Sequence, residues 1–296
     1  MIKIKLFIKD YFYFFYFTLN ILRQYIKMKT YTIRAFKLSN FADFDFFSNT
    51  QMKRDKLFIL GSGSSINKLD KHQWKEISSN TSFGLNGWLI HDFVPTFYSF
   101  EPPRDLKERD KIIDIFFKKQ IEYKNTTIIL KDLFVRDLNF SKLPPLNFQI
   151  PIDFSVPAEN IRQLEKGLRL ISKMNRMKIF KNKFIYKKRA SISMLVILGW
   201  QLGFKDIILC GVDLNNSKYF YEENSDYYQN KGIVIPENKE KKNRVHKTID
   251  KDFGNLTIDQ VIYSINKILL KPNNIRLYTA FSDSALNEEL DTYFKE

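Results

Sequence analysis

Small residues in the segment KLFILGSGSSINKL, residues 56–69, form the first pattern in the sequence that could do chemistry. Gly61, Ser62, Gly63 and Ser65 lie between a short apolar run and an amphipathic one. A loop of this kind between a strand and a helix binds anions through backbone N–H groups and the helix N-terminus. It lacks the third glycine of a dinucleotide fingerprint and the Lys-Ser or Lys-Thr ending of a P-loop. The loop is therefore either part of a nucleotide site or a tight turn.

Polar residues also stand at the ends of three other apolar runs. Asn86 ends SFGLN, Glu101 follows PTFYSF, and Gly211 and Asp213 end KDIILCGVD. An aspartate carboxylate accepts hydrogen bonds from a ribose hydroxyl or a backbone amide, and an asparagine amide both donates and accepts, which suits a base or a sugar. Each also has a simpler alternative, because aspartate caps turns and Asn-Gly is a common turn pair.

The three histidines are His72, His91 and His246. A lone histidine is more often structural than catalytic, although its ordinary pKa makes it a common general base. His246 closes a tyrosine-rich segment and precedes the polar residues KTIDKD, which have no evident core face. It is the candidate for catalysis among the three, and an exposed residue without function is the alternative.

Strand-like and helix-like patterns alternate along the chain, which predicts an open α/β sandwich of Rossmann type with a mostly parallel sheet. The predicted strands are 56–60, 82–86, 95–100, 126–130, 205–213 and 275–281. The predicted helices are 65–77 with its leading turn, 105–124, 158–174, 191–203, 256–270 and 284–294. The apolar run 191–203 indicates a buried helix, and the absence of alternation in 205–213 indicates a central parallel strand. Ligands of such sheets bind at the carboxyl ends of the strands, where the polar residues described above would meet.

Three stretches are less regular. Residues 131–160 hold four of the nine prolines and are predicted to be irregular surface. Residues 214–247 are rich in Asn, Lys and Tyr, which indicates either a mobile lid over the site or a disordered linker. Residues 1–55 are predicted to be an N-terminal extension of a domain that covers 56–296.

The aromatic-rich segment 4–25 bears on membrane binding. Its uninterrupted apolar part, between Asp10 and Asn20, is shorter than the ~20 residues that span a bilayer. The segment is either an interfacial anchor, with aromatic rings at headgroup depth and lysines toward acidic lipid, or an upstream extension before a start at Met28.

Composition limits the partners and the compartment. Forty-eight Lys and Arg against 33 Asp and Glu give the 296 residues a formal charge of +15, which attracts nucleic acid, acidic lipid or an anionic small substrate. No nucleic-acid-binding motif is present and the lysines are scattered, so we expect no nucleic-acid partner. The single cysteine, Cys210, has no partner for a disulfide or a metal knuckle, which favours a cytoplasmic setting.

Together these segments resemble the small bacterial sialyltransferases of glycosyltransferase family 42. FILGSGSSINKL, residues 58–69, is similar to that family's first strand and glycine loop, and FGLNGW, residues 83–88, to its Cys-Asn segment. The most specific match is KKRASISMLVILGWQLGFKDIILCGVDL, residues 187–214, which resembles the family's Arg-Ile-Thr-Ser helix and the strand after it. A histidine beyond a tyrosine-rich segment completes the pattern, and the match covers roughly residues 56–290.

The resemblance implies a variant of the GT-A fold with a flexible lid, and an inverting transferase that uses neither cofactor nor metal. Its donor would be CMP-sialic acid or a related CMP-nonulosonate, and its acceptor a hydroxyl of a surface glycan such as lipooligosaccharide or capsule. His246 would be the general base, and Tyr219 and Tyr221 would bind the departing phosphate. Arg189 would pair with the sugar carboxylate or brace the loop. The residues matched to the nucleotide site are Gly61, Ser62, Gly63, Ser65, Asn86, Ser191, Gly211, Asp213 and Asn215.

Two positions depart from the family pattern. Asn215 stands where the family has its first lid tyrosine, and its amide is expected to donate the same bond to the phosphate. Ser99 or Glu101 stands in the place of a family asparagine. The charge of Glu101 would repel an anionic donor unless its carboxylate binds hydroxyls of the sugar, which favours a different nonulosonate, such as legionaminic or pseudaminic acid.

The resemblance also implies a glycolipid or glycan acceptor, association with the inner membrane surface and a homo-oligomer. Two other functions stay open. One is transfer of a nonulosonate to protein, as in flagellin-modifying relatives. The other is a catalytically idle nucleotide-binding protein that docks on a membrane.

Overall fold

A nine-stranded parallel sheet organises the fold. The computed structural model describes residues 12–36, 42–43, 55–132, 138–177, 184–215, 217–236, 248–249 and 254–294. The strands are β1 (Ala42–Asp43), β2 (Lys56–Leu60), β3 (Thr81–Leu85), β4 (Phe97–Phe100), β5 (Thr127–Leu130), β6 (Phe148–Ile150), β7 (Ile152–Ser155), β8 (Phe184–Lys187), β9 (Asp206–Cys210), β10 (Arg276–Thr279) and β11 (Asp291–Thr292). The sheet order is β1-β6-β5-β4-β3-β2-β9-β10-β11, while β7 and β8 form a separate parallel pair. The predicted α/β fold with a parallel sheet is confirmed.

Helices cover both faces of the sheet. They are α1 (Tyr13–Phe36), α2 (Lys71–Ser78), α3 (Leu106–Lys118), α4 (Ile161–Arg176), α5 (Ser191–Leu202), α6 (Phe220–Glu223), α7 (Ser225–Asn230) and α8 (Ile258–Ile265), the last continued by a π-helical turn, Asn266–Leu270. Alternate residues of each central strand enter opposite cores. Leu57 belongs to a core with side chains of α1, α4, α5 and α8, whereas Phe58 belongs to a core with side chains of α2, α3, α6 and α7. This two-sided burial is why β2 and β9 are apolar at every inner position.

The predicted central elements are confirmed. β9 is fully buried between β2 and β10, and eleven of the twelve residues of α5 are buried. Gly199 of α5 allows close approach to the sheet, because a Cβ there would press on Leu57 and Ile207. Gly203 ends the helix in the left-handed conformation that glycine adopts without strain.

The N-terminal helix α1 is packed on the domain rather than separate from it. Tyr13, Phe17, Ile21 and Met28 are buried in the same core as α5. The Tyr13 hydroxyl also donates to the Pro157 carbonyl at 2.9 Å. The described part of the predicted extension therefore belongs to the body of the fold. No helix in the described ranges has both the length and the apolar character needed to cross a membrane.

Two predictions of secondary structure are wrong. The supposedly irregular stretch 131–160 contains β6 and β7, whose signal was hidden by short length and by Pro151 between them. The predicted closing helix 284–294 is instead a 3-10 turn, Ala285–Glu288, followed by β11. The spacing of its leucines fits a helix, but a short apolar pattern does not distinguish a helix from a strand. Here Asp291 and Thr292 form a strand because they pair with β10.

The described part of the predicted lid, residues 217–236, is well packed. Phe220, Tyr221 and Tyr228 are all buried in the core formed with α3. Whether the segment 214–247 moves as a lid stays a prediction.

His91 is held neutral within an aromatic stack. Its ring lies 4.5 Å from that of Trp88 and 5.1 Å from that of Trp74, and its Nδ1 accepts a hydrogen bond from Phe93 N at 2.9 Å. Burial lowers the His91 pKa to about 4, with Asp92 opposing the shift and nearby lysines adding to it. The unfolded chain therefore binds a proton on this ring at higher pH than the folded one.

We expect the free energy of unfolding to fall as the pH is lowered from 6.5 to about 4, the window between the two pKa values of His91. The shift corresponds to a loss of roughly 3 kcal/mol at most. The variant His91→Asn keeps an acceptor for Phe93 N and should flatten this pH dependence, measured by urea unfolding at each pH. The exposed His72→Asn is the control and should retain it. Equal slopes for both variants would contradict the assignment.

Candidate functional site

A cleft of about 630 Å³ opens at the carboxyl ends of the central strands. Gly61, Asn86, Glu101, Lys131 and Gly211 each follow a different strand and line it. This is the place where open α/β sheets bind ligands, and the volume lies in the range of small-molecule sites.

Most of the residues singled out in the sequence meet in this cleft. Those that line it are Gly61, Ser62, Gly63, Asn86, Arg189, Ser191, Gly211, Asp213, Tyr219 and Tyr221. Ser65 and Asn215 are not among the lining residues. His246 lies outside the described residues, and Thr248, two positions later, lines the cleft.

The glycine loop is joined to the end of β9 by its backbone. Gly61 N donates to Cys210 O at 2.7 Å, and Gly63 N donates to Gly211 O at 2.9 Å. A Cβ on Gly61 would overlap the Gly211 carbonyl, and one on Gly63 would overlap the Asp213 carboxylate. The glycines are therefore required by close packing of two loops. Because both N–H groups are bonded to carbonyls, they are not the donors that an anion at this loop would use.

Asp213 holds the same loop from its other end. Its carboxylate accepts hydrogen bonds from Ser65 N at 3.1 Å and from the Ser65 hydroxyl. Burial raises the pKa of Asp213 above its ordinary value, while the bonds from Ser65 act to lower it. Of the roles open from the sequence, the structure places Asp213 on a backbone amide, and Ser65 is its partner rather than a residue of the cleft wall.

Tyr219 and Tyr221 are tied to the glycine loop. Tyr219 forms an antiparallel bridge with Gly63, and Phe220 N donates to Ser62 O at 3.0 Å. The two tyrosine rings stack with centroids 5.3 Å apart and an interplanar angle of 23°. The predicted tyrosine pair is therefore bonded directly to the predicted glycine loop.

Asn86 and Asn215 have different outcomes. Asn86 has an exposed side chain on the cleft, and its carbonyl accepts the Tyr98 hydroxyl at 2.6 Å. The Asn215 amide instead donates to the Asp283 carbonyl at 2.6 Å. The expected bond from Asn215 to the donor phosphate is thus not supported, because its donor group is directed to another loop.

The N-terminus of α5 faces the cleft, where Ala190 and Ser191 line the wall. The positive end of the helix dipole favours an anion at such a place. Of the first-turn N–H groups, Ser193 N already donates to Ala190 O at 3.1 Å. Arg189, just before the helix, donates from Nε to Thr248 O at 3.4 Å, and Ile258 N donates to the same carbonyl at 3.0 Å. This contact fits the bracing role of Arg189 that the sequence left open.

Two ion-pair systems of the cleft wall were missed in the sequence. Lys131 forms an ion pair with Glu101, whose Oε2 also accepts the Ser191 hydroxyl at 3.4 Å. The pairing follows from register, since Phe100 and Leu130 are partners in β4 and β5 and the next residues are Glu101 and Lys131. The expected repulsion between Glu101 and an anionic donor is therefore wrong in its premise, because Lys131 offsets the charge.

The second system is centred on Lys187, at the end of β8. Its Nζ lies 2.8 Å from Asp153 Oδ2 and also pairs with Asp132. Burial lowers the Lys187 pKa, but Asp153 and Asp132 more than offset this and raise it overall. No sequence signal pointed to this cluster, because Asp153 belongs to a strand hidden in the proline-rich stretch.

Left-handed backbone conformations concentrate at the cleft. Among the described residues, five other than glycine have a positive φ, and four of them line the cleft: Asn86, Asp132, Arg189 and Leu214. Such conformations cost on the order of 1–3 kcal/mol for a residue with a side chain and cluster at functional sites. In the part of the chain that the structure describes, the left-handed positions other than glycine are therefore concentrated at the wall of the cleft.

Known proteins that are similar to this chain are found among solved structures. No protein-family model matches the chain, and no curated protein sequence matches it. Among solved structures, it is similar to a monofunctional α-2,3-sialyltransferase, Cst-I, from Campylobacter jejuni, with 17% identity over 87% of this chain and 84% of that chain, and a TM-score of 0.42.

The sialyltransferase CstII from the same organism is similar in two complexes. In complex with the substrate analogue CMP-3FNeuAc it has 16% identity, covers 80% of this chain and 85% of that chain, and has a TM-score of 0.40. In complex with cytidine-5'-monophosphate it has 16% identity, covers 80% of this chain and 84% of that chain, and has a TM-score of 0.41. Similarity at this level leaves the activity of this chain to be decided by its own residues.

We expect the Glu101–Lys131 pair to matter asymmetrically for stability. Lys131 is 2% exposed and Glu101 is 30% exposed, so Glu101→Leu leaves a buried ammonium with Asp132 as its remaining acidic neighbour. This variant should lose about 3 kcal/mol of unfolding free energy. Lys131→Met should lose less, because water reaches the remaining carboxylate.

The double variant Glu101→Leu with Lys131→Met should regain most of the loss, since neither charge is left alone. Urea unfolding of the four proteins provides the measurement. A Lys131→Met variant that is less stable than Glu101→Leu would contradict this account.

Proposed function

We propose that the protein is an inverting glycosyltransferase that moves sialic acid or a related nonulosonate from its CMP donor to a hydroxyl of a surface glycan. One observation carries the proposal. Residues matched to the sialyltransferase pattern from distant parts of the chain, among them Ser62, Asn86, Arg189 and Tyr219, line one cleft at the carboxyl edge of the sheet. These residues follow different strands or precede different helices, so the fold and not closeness in sequence brings them together.

The chemistry of the donor suits this cleft. The leaving group, CMP, departs as an anion, so the reaction needs stabilisation of charge more than protonation. Because the N–H groups of Gly61 and Gly63 are bonded to carbonyls, we assign this stabilisation to the N-terminus of α5 and to the hydroxyls of Tyr219 and Tyr221. The phosphate would then lie in the cleft, beside the tyrosine pair and facing the N-terminus of α5.

We assign the general base to His246. Its imidazole would take the proton of the acceptor hydroxyl as the oxygen attacks the anomeric carbon, and the bond from that carbon to the phosphate oxygen would break with its electron pair leaving on CMP. Attack opposite the leaving group inverts the configuration. Support comes from Thr248, which lines the cleft and whose carbonyl is bonded to Arg189 and to Ile258 N. Arg189 is in this account a positioning residue for the segment after the base.

The sugar end of the donor would meet the charged wall. Glu101, offset by Lys131, can accept hydrogen bonds from sugar hydroxyls without presenting a net negative charge to the donor. Glu101 therefore gives no reason to favour a different nonulosonate over sialic acid, and we propose sialic acid as the first donor to test. The acceptor would be a glycan or glycolipid hydroxyl.

We expect His246→Ala to lose at least 100-fold in the rate of CMP release from CMP-sialic acid with a glycan acceptor, because general base catalysis contributes about 10²–10⁴-fold. CMP binding, measured by calorimetry, should stay within about threefold of the parent value. The matched control is His72→Ala, an exposed histidine on α2, which should leave both quantities unchanged.

The outcomes separate the alternatives. Full activity in His246→Ala would remove histidine from the mechanism. CMP binding without any transfer by the parent protein, over a panel of CMP-nonulosonates and acceptors, would favour the idle nucleotide-binding protein.

We also expect a chelator to leave the rate of CMP release unchanged. Among the described residues, no group of three His, Cys, Asp or Glu side chains is placed to hold a metal ion. The measurement is the same CMP-release assay with and without EDTA, and magnesium or manganese is added back as the control. A strict requirement for either ion would contradict the metal-independent mechanism.

A further inference from the structure

Helix α1 presents a second apolar face that the core does not use. Its buried face, with Phe17 and Ile21, packs on the domain. On the opposite side lie large hydrophobic residues with exposed fractions above one half: Phe12 at 52%, Phe15 at 63%, Leu19 at 66%, Leu22 at 51% and Ile26 at 57%. We name these five residues the outer face. They recur every three or four positions, so at 3.6 residues per turn they form one continuous stripe.

Basic residues flank the outer face. Arg23 and Lys27 are exposed on α1 beside the stripe, and Lys29 is exposed on its other side. The sequence of α1 holds four basic residues and no acidic one. An apolar stripe between basic flanks is the pattern of a helix that lies in the plane of an anionic bilayer surface.

We infer that the outer face of α1 docks on the surface of an anionic lipid bilayer, with its apolar side chains in the headgroup region and Arg23 and Lys27 toward the lipid phosphates. Charge favours a membrane over a second copy of the chain as the surface that covers the outer face. A second copy of the chain, packed symmetrically through the same stripe, would bring identical basic flanks together with no acidic residue of α1 to pair with them. A membrane with anionic lipid provides the complementary charge.

The docking helix is bonded to the wall of the cleft. The Gln24 side chain donates to Ser155 O at 3.1 Å and accepts from Ser155 N at 2.8 Å, and Ser155 lines the cleft. A bilayer bound to the outer face would therefore be coupled through one residue to the wall of the site. Docking itself does not depend on the activity proposed above, because vesicle binding is measured without substrate.

The test is sedimentation of the full chain with vesicles of phosphatidylcholine alone or with phosphatidylglycerol. We expect the parent protein to bind the anionic vesicles, and Leu19→Ser with Leu22→Ser to bind at least ~tenfold more weakly. Both side chains point out of the fold, so the thermal midpoint should stay unchanged. The control is Leu106→Ser with Ile121→Ser, which removes two exposed hydrophobic side chains elsewhere, at 66% and 74%, and should bind like the parent.

Charge is tested separately. Arg23→Gln with Lys27→Gln should weaken binding to anionic vesicles roughly tenfold or more and leave the neutral vesicles unaffected. The control is Lys71→Gln with Lys75→Gln, which removes two exposed positive charges from α2 and so has the same net charge as Arg23→Gln with Lys27→Gln. It should bind anionic vesicles more strongly than the α1 variant does.

Three results would overturn the proposal. One is no binding of the parent protein to anionic vesicles. Another is equal weakening by the outer-face variant and its Leu106 and Ile121 control. The third is a parent dimer, seen by sedimentation equilibrium, that the outer-face variant converts to a monomer without any vesicle binding by the parent, which would assign the stripe to a second copy.

Discussion

The site depends on one contact, the backbone junction between the loops that follow β2 and β9. Two hydrogen bonds, from Gly61 N to Cys210 O and from Gly63 N to Gly211 O, close these loops against each other. Only glycine fits at Gly61 and Gly63, because the opposing carbonyl and the Asp213 carboxylate occupy the space of a Cβ. The loop therefore gains its shape from packing with its neighbour, and the ligand-facing groups are the side chains placed around it.

The parallel register extends this logic along the edge of the sheet. Residues that follow paired strand ends become neighbours whatever their distance in sequence, which is how Glu101 meets Lys131. Opposite charges at such neighbouring ends let the wall of the cleft be polar without a large net charge. The positive-φ residues Asn86 and Asp132 lie at the same edge. The left-handed backbone and the ion pairs are therefore both found at the wall of the cleft.

Strands and helices that are determined by their own local sequence could be predicted. Features that depend on pairing between distant segments could not. β9 and α5 are long enough and apolar enough to be identified by composition alone. β7 could not be identified in this way, because it has only four residues and follows a proline. For the same reason the ion pair of Asp153 with Lys187 could not be predicted. The side-chain direction of Asn215 depends on the loop at Asp283, which no pattern in the sequence could place. His246 was identified from sequence and lies outside the described residues.

Helix α1 shows how a single amphipathic pattern can be misread when both faces are apolar. A helix of a globular domain needs one apolar stripe, and Phe17 and Ile21 provide it here. A second stripe on the opposite side has no structural purpose in the described parts of the chain, and exposing it to water is unfavourable. The Gln24 side chain lies on the buried side of α1 and is bonded to the backbone N–H and carbonyl of Ser155 in the wall of the cleft. Whatever covers the outer face is therefore held in a fixed relation to that wall. For a transferase whose acceptor is carried on lipid, that relation would hold the acceptor's surface at a constant distance from the site.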